Sequence, residues 1–171
     1  MFTLVIGGAA SGKSEYAELH VTRLTGRRIY LAAMRPWDQE CLGRIARHRL
    51  LRRDKGFETV ERYTDLAGLA LPAEANVLLE CMSNLTANEL YDPEGGGEEA
   101  VLRGVEALLS QCRHLTVVTN DVFSGGVAYG EGTLRYLRAL ARINRALAAR
   151  ADTVVETVCG LPNYLKGGPI L

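Results

Sequence analysis

Apolar residues fall into two patterns along this chain. Continuous runs such as Phe2-Thr3-Leu4-Val5-Ile6, Val77-Leu78-Leu79-Glu80-Cys81 and Leu115-Thr116-Val117-Val118-Thr119 are strand-sized, and strands covered on both faces of a parallel sheet read this way. Shorter strands are expected at Arg28–Ala32, Phe57–Glu61 and Thr153–Val158. Helical spacing predicts a helix running from the end of a Gly-rich loop to about Leu24, where Gly26 stops it. Further helices are expected over Gln39 to Arg53, from Ser83, up to about Gln111, and over Glu131 to Arg150. Pro93-Glu94-Gly95-Gly96-Gly97 breaks the pattern as a flexible surface turn. Strands alternating with helices predict a three-layer α/β fold with a mostly parallel central sheet. Neither a repeat nor a linker divides the chain, so residues 1–171 read as a single domain.

The chemistry starts at the end of the first apolar run. Gly7-Gly8-Ala9-Ala10-Ser11-Gly12-Lys13-Ser14 is G-x-x-x-x-G-K-[ST] between a strand and a helix, the context that this phosphate-binding loop requires. Glycine conformations let backbone N–H groups converge on phosphate oxygens at a helix start. Lys13 can reach the β- and γ-phosphates, and the Ser14 hydroxyl can ligate Mg²⁺. The motif predicts binding of a nucleoside triphosphate.

Composition narrows the class. Of 171 residues, 47% are hydrophobic and 23% charged, which excludes a disordered chain. Twenty basic residues balance twenty acidic ones, so nothing global points to nucleic acid or an anionic membrane. The apolar runs are too short to span a bilayer, and no secretory leader is expected. Cys41, Cys81, Cys112 and Cys159 have no metal-site spacing and are expected to be buried free thiols of a cytoplasmic protein.

Two further places carry candidate chemistry. Glu80 ends the strand Asn76–Glu80, and ligands bind at the carboxyl ends of strands in open parallel sheets. It would hold Mg²⁺ opposite Ser14, or alternatively cap a helix starting at Met82 or Ser83. Asn120-Asp121 ends the next strand in the same way and reads either as a polar contact in the same crevice or as a turn. The second place is Arg44-Ile45-Ala46-Arg47-His48-Arg49-Leu50-Leu51-Arg52-Arg53. On a helix Arg44, His48 and Arg52 stack at i, i+4 and i+8. Such a face attracts polyphosphate and disfavours the imidazolium, leaving a neutral ring able to attack phosphorus. A solvated basic face is the other reading of the same residues.

Taken together, the motifs resemble the bifunctional adenosylcobinamide kinase / adenosylcobinamide-phosphate guanylyltransferase family of cobalamin biosynthesis. The P-loop with Glu15-Tyr16-Ala17-Glu18 resembles its opening, and Arg44-Ile45 with His48-Arg49 and Thr59-Val60-Glu61 resembles its R-I-x-x-H-R…T-x-E segment. Leu79-Glu80-Cys81, Val118-Thr119-Asn120-Asp121-Val122 and Gly160-Leu161-Pro162 with Leu165-Lys166 resemble later segments. The resemblance implies a RecA-like P-loop NTPase fold. It implies that ATP or GTP phosphorylates the corrinoid adenosylcobinamide, and that GTP then guanylylates a histidine, matched here by His48, which passes GMP to the cobinamide phosphate. It implies Lys13 as the other catalytic residue. The nucleotide site becomes the P-loop with Arg44, Arg52, Glu61 and Glu80, with Mg²⁺ on Ser14 and Glu80. It further implies a homo-oligomer, a trimer in the family's pattern. Arg135, Arg138, Arg142 and Arg145 form a stripe on the long helix that faces either a subunit neighbour or water.

The chain departs from the family's pattern in three places. Ala10 stands where the family has Arg, Phe57 where it has Trp, and Phe123-Ser124-Gly125-Gly126-Val127-Ala128 lacks its glycine and proline. A kinase of another small hydroxyl compound and a non-catalytic nucleotide-binding regulator are the competing readings of the residues.

Overall fold

A computed structural model describes residues 1–36, 38–123 and 128–170, with the backbone alone at 40, 44 and 51. Its elements are β1 (Phe2–Gly7), α1 (Lys13–Arg23), β2 (Arg28–Ala32), α2 (Gln39–Arg52), β3 (Phe57–Glu61), β4 (Asn76–Glu80) and α3 (Met82–Tyr91). There follow α4 (Gly97–Gln111), β5 (His114–Asn120), α5 (Glu131–Arg150), β6 (Thr153–Val158) and β7 (Leu161–Lys166). The strands form one sheet in the order β3-β2-β4-β5-β1-β6-β7. All neighbours pair in parallel except β6 and β7.

Side chains alternate between sheet faces along each strand, and that alternation builds two cores. Leu4, Leu31, Leu79 and Val117 pack with Met82, Val105, Leu140 and Ile143 from α3, α4 and α5. Their immediate neighbours Val5, Tyr30, Leu78 and Val118 pack on the other face with Tyr16, Ala17 and Val21 of α1. A sheet covered on both faces explains the unbroken apolar runs, and the fold is the expected three-layer α/β arrangement of a P-loop NTPase.

Most predicted elements recur within one or two residues, α1 ending at Arg23 and α2 at Arg52. β7 is the exception, an antiparallel edge strand where only a tail was expected. The glycine break is more tightly held than a flexible turn. The buried carboxylate of Glu89 accepts from the Gly96 N–H at 2.7 Å and from the Asp65 N–H at 2.7 Å. The four cysteines are free, but only Cys81 is buried and Cys159 is exposed. Cys41 lies on α2, Cys112 directly after α4 and Cys159 in the turn between β6 and β7, places the sheet does not cover.

Candidate active site

β1 runs straight into the P-loop, and local packing explains its glycines. A Cβ on Gly7 would sit 2.6 Å from Thr157 Oγ1. Gly12 has φ +90°, a left-handed conformation open to glycine, and a Cβ there would meet Gly160 Cα at 3.0 Å. Ala10 also takes a positive φ of 55°. Tyr16 N–H then donates to the Gly12 carbonyl, opening α1. Lys13 Nζ lies back along the loop and donates to the Gly8 carbonyl at 3.0 Å.

The β6–β7 hairpin braces this loop from the side. Ser11 Oγ and Thr157 Oγ1 share a buried hydrogen bond of 2.9 Å, and Gly160 N–H donates to the Ser11 carbonyl at 2.9 Å. Tyr16 and Tyr164 join their hydroxyls at 2.9 Å one helical turn further on, where burial raises the Tyr16 pKa above its ordinary value. Nothing in the sequence pattern of the tail announced this brace.

Glu80 ends the inner strand β4, nearly buried, and accepts hydrogen bonds from Ser14 Oγ and from Tyr30 Oη, the latter at 3.1 Å. It does not cap α3, whose N-cap is Cys81 without a side-chain cap bond. Asn120 joins the crevice and donates to Ser83 Oγ at 2.6 Å, whereas Asp121 serves a turn, accepting from Phe123 N–H at 3.3 Å. Asn120 thus lines the crevice, while Asp121 takes the turn reading.

One face of α2 closes the crevice. A cavity of about 570 Å³ is lined by the P-loop from Ala9 to Ser14 and by His48, Arg47, Arg49, Arg52, Glu61 and Glu80, among others. Arg52 is 6% exposed, and its guanidinium carbon lies 3.3 Å from the centre of the Tyr30 ring. Its Nε and Nη1 are buried without a hydrogen-bond partner, which suits an incoming anion. Glu61 is tied to Arg49 and accepts from Tyr63 Oη at 2.9 Å. The Arg44 side chain and residues 124–127 of the divergent loop lie outside the described residues.

The tightest grouping brings together residues far apart in sequence. One ring nitrogen of His48, one carboxylate oxygen of Glu18 and one of Glu80 all lie within 4.8 Å of one another. Glu18 is 3% exposed and ion-paired with Lys55. The hydrogen bonds described at Glu80 come from hydroxyls, whereas Glu18 is held by the Lys55 ammonium. Oxygen donors from Ser14 and Glu80 fit the preference of a hard dication such as Mg²⁺. Sequence reasoning missed Glu18, Tyr30 and Lys55. The available signal was the spacing of Ser14 and Glu18, which puts both on one face of α1.

A P-loop at the head of a parallel sheet, a strand-end carboxylate against its serine and a histidine in the same cavity define a nucleotide-dependent transferase. The profile of the family described as "Cobinamide kinase / cobinamide phosphate guanyltransferase" matches residues 3–165, and the chain belongs to that family. It is 36% identical to the bifunctional adenosylcobalamin biosynthesis protein CobP of Pseudomonas aeruginosa, over 99% of this chain and all of that one. It is 32% identical to the protein of the same description, CobU, of Escherichia coli and 30% identical to that of Salmonella typhimurium. Each of these two alignments covers 97% of this chain and the whole relative. The family is one of nucleotide-using enzymes of cobalamin synthesis. Among the described residues, no helix is long and apolar enough to cross a membrane.

Proposed function

We propose that this chain phosphorylates adenosylcobinamide with ATP or GTP and then transfers GMP from GTP to the phosphorylated product through a guanylylated His48, all in one crevice. The supporting observation is the shared cavity, in which His48 lies within 4.8 Å of the carboxylate hydrogen-bonded to the P-loop serine. A nucleotide cradled by the loop therefore presents its phosphates to both sets of groups.

In the first reaction the loop amides and Lys13 hold the β- and γ-phosphates, and the substrate hydroxyl takes the γ-phosphoryl directly. Ser14 and Glu80 would hold Mg²⁺, which offsets charge on the phosphate oxygens when bound. In the second, a ring nitrogen of His48 attacks the α-phosphorus of GTP and pyrophosphate leaves. The cobinamide phosphate then displaces GMP from the ring. Arg52 and Arg49 oppose the charge on the leaving pyrophosphate, and splitting the transfer into two displacements lowers each barrier. The proposal includes a single catalytic domain, a cytoplasmic enzyme and a homo-oligomer, a trimer by family pattern.

Incubation with α-labelled GTP followed by denaturation tests the reading. Label that stays on the protein, stable to alkali and lost in acid, is the expected phosphoramidate. Turnover of the kinase step without any retained label would reduce the chain to a kinase, and neither activity would make it a nucleotide-binding regulator.

A further inference from the structure

Resting on the reading of His48 as the nucleophile, we propose that Glu18 is a positioning residue for guanylyl transfer, holding the imidazole and offsetting the charge it acquires. Ser14 and Glu18 are one turn apart on α1, so the helix that opens with the P-loop carries a carboxylate just below it. That carboxylate is 3% exposed and within 4.8 Å of a His48 ring nitrogen. The Nδ1 of His48 is buried without a hydrogen-bond partner, and a ring nitrogen in that state needs an acceptor if it bears the proton. The two carboxylates in reach have different occupations. Glu80 takes the Ser14 and Tyr30 hydroxyls, while Glu18 takes no hydroxyl among the described residues and is tied to Lys55, just beyond the end of α2. Glu18 thus binds the helix bearing the nucleophile to the helix bearing the P-loop.

The chemistry gives the carboxylate a purpose. The neutral ring keeps its proton on the nitrogen facing Glu18, and the lone pair of the other nitrogen forms the bond to the α-phosphorus. The bond from that phosphorus to the bridging oxygen breaks, and its electron pair leaves with pyrophosphate. The guanylylated ring now carries one positive charge and still holds its proton. When a phosphate oxygen of the acceptor attacks, the P–N electron pair returns to the ring and the charge disappears. A fixed carboxylate stabilises the charged stage and sets which nitrogen is free to attack, as outer partners of functional imidazoles do. Phosphoryl transfer from the γ-position involves no such ring charge.

Glu18→Gln, which keeps size and loses charge, tests this on the full chain. Formation of the GMP adduct should slow by about 10- to 100-fold, mainly in kcat with KM for GTP little moved, while phosphoryl transfer falls far less. Lys55→Met removes the ion pair but leaves the carboxylate, so its loss of adduct formation should be smaller. Nitrogen-15 spectra of His48 should show one dominant tautomer in the wild-type chain and a mixture in the Gln variant, a readout that needs no turnover. Adduct formation at the wild-type rate in Glu18→Gln would overturn the proposal. So would equal loss of both activities, or equal effects of the Glu18 and Lys55 variants, since either would assign Glu18 to helix docking alone. If the wild-type chain itself formed no adduct, the nucleophile reading would fail instead.

Discussion

Ser14 and Glu80 meet across the mouth of the crevice through a hydrogen bond between hydroxyl and carboxylate. Ser14 opens a helix and Glu80 closes a strand, 66 residues apart, and neither position has a role in the core. Glu80→Gln keeps an oxygen that can accept from one of the Ser14 and Tyr30 hydroxyls and an amide that can donate to the other, but removes the charge that a dication needs. Turnover at fixed Mg²⁺ should fall by about 10²-fold, and the Mg²⁺ concentration giving half the maximal rate should rise, with the thermal midpoint little changed. An unaltered Mg²⁺ titration would contradict the assignment. Arg52 illustrates a residue whose type was legible and whose setting was not. The sequence placed it on a basic face, yet it is almost fully buried over the Tyr30 ring, because the aromatic face offers a cation a partner that no helical wheel can display.

At the scale of elements, the strands and helices followed from pattern because burial on both faces leaves a plain sequence trace. β7 left none. Pro162 interrupts it, and Leu161 and Leu165 are exposed, so its residues lack the alternation of a half-buried strand. Its pairing with β6 is set by the tight turn at Cys159 and Gly160, both with positive φ. That turn is also what meets the P-loop. Thr157→Val leaves Ser11 Oγ without its buried partner, at a cost of about 1–3 kcal/mol in stability, and should raise KM for nucleotide in both reactions. Thr157→Ser restores the hydroxyl and should recover the wild-type KM. If both variants bound nucleotide as the wild type does, the hairpin would be a mere edge and not a brace for the loop.

At the scale of the molecule, motifs located the P-loop, the strand-end acid and the basic helix separately, but not their convergence. Residues 18, 48 and 80 come together because β4 lies inside the sheet, between β2 and β5, and α2 closes over its carboxyl end. The arginine stripe on α5 resolves in part within the chain. Arg142 pairs with Glu98 of α4 and Arg135 approaches the Tyr91 ring at 5.9 Å, leaving Arg138 and Arg145 exposed. The wider consequence of the proposed shared crevice is that two chemistries with different demands would use one nucleotide site. Phosphoryl transfer needs positioning and charge compensation alone, whereas guanylyl transfer through a covalent intermediate needs a protein nucleophile.

Separation of the two activities at His48 therefore tests the account most directly. His48→Asn keeps a polar side chain of similar reach without the nucleophilic ring, and both reactions can be followed on one preparation with γ- and α-labelled GTP. The account predicts complete loss of the covalent GMP adduct and of guanylyl transfer, with a measurable part of phosphoryl transfer retained. A GMP adduct accumulating at the wild-type rate in His48→Asn would contradict it and leave His20 and His114 as the remaining histidines to test.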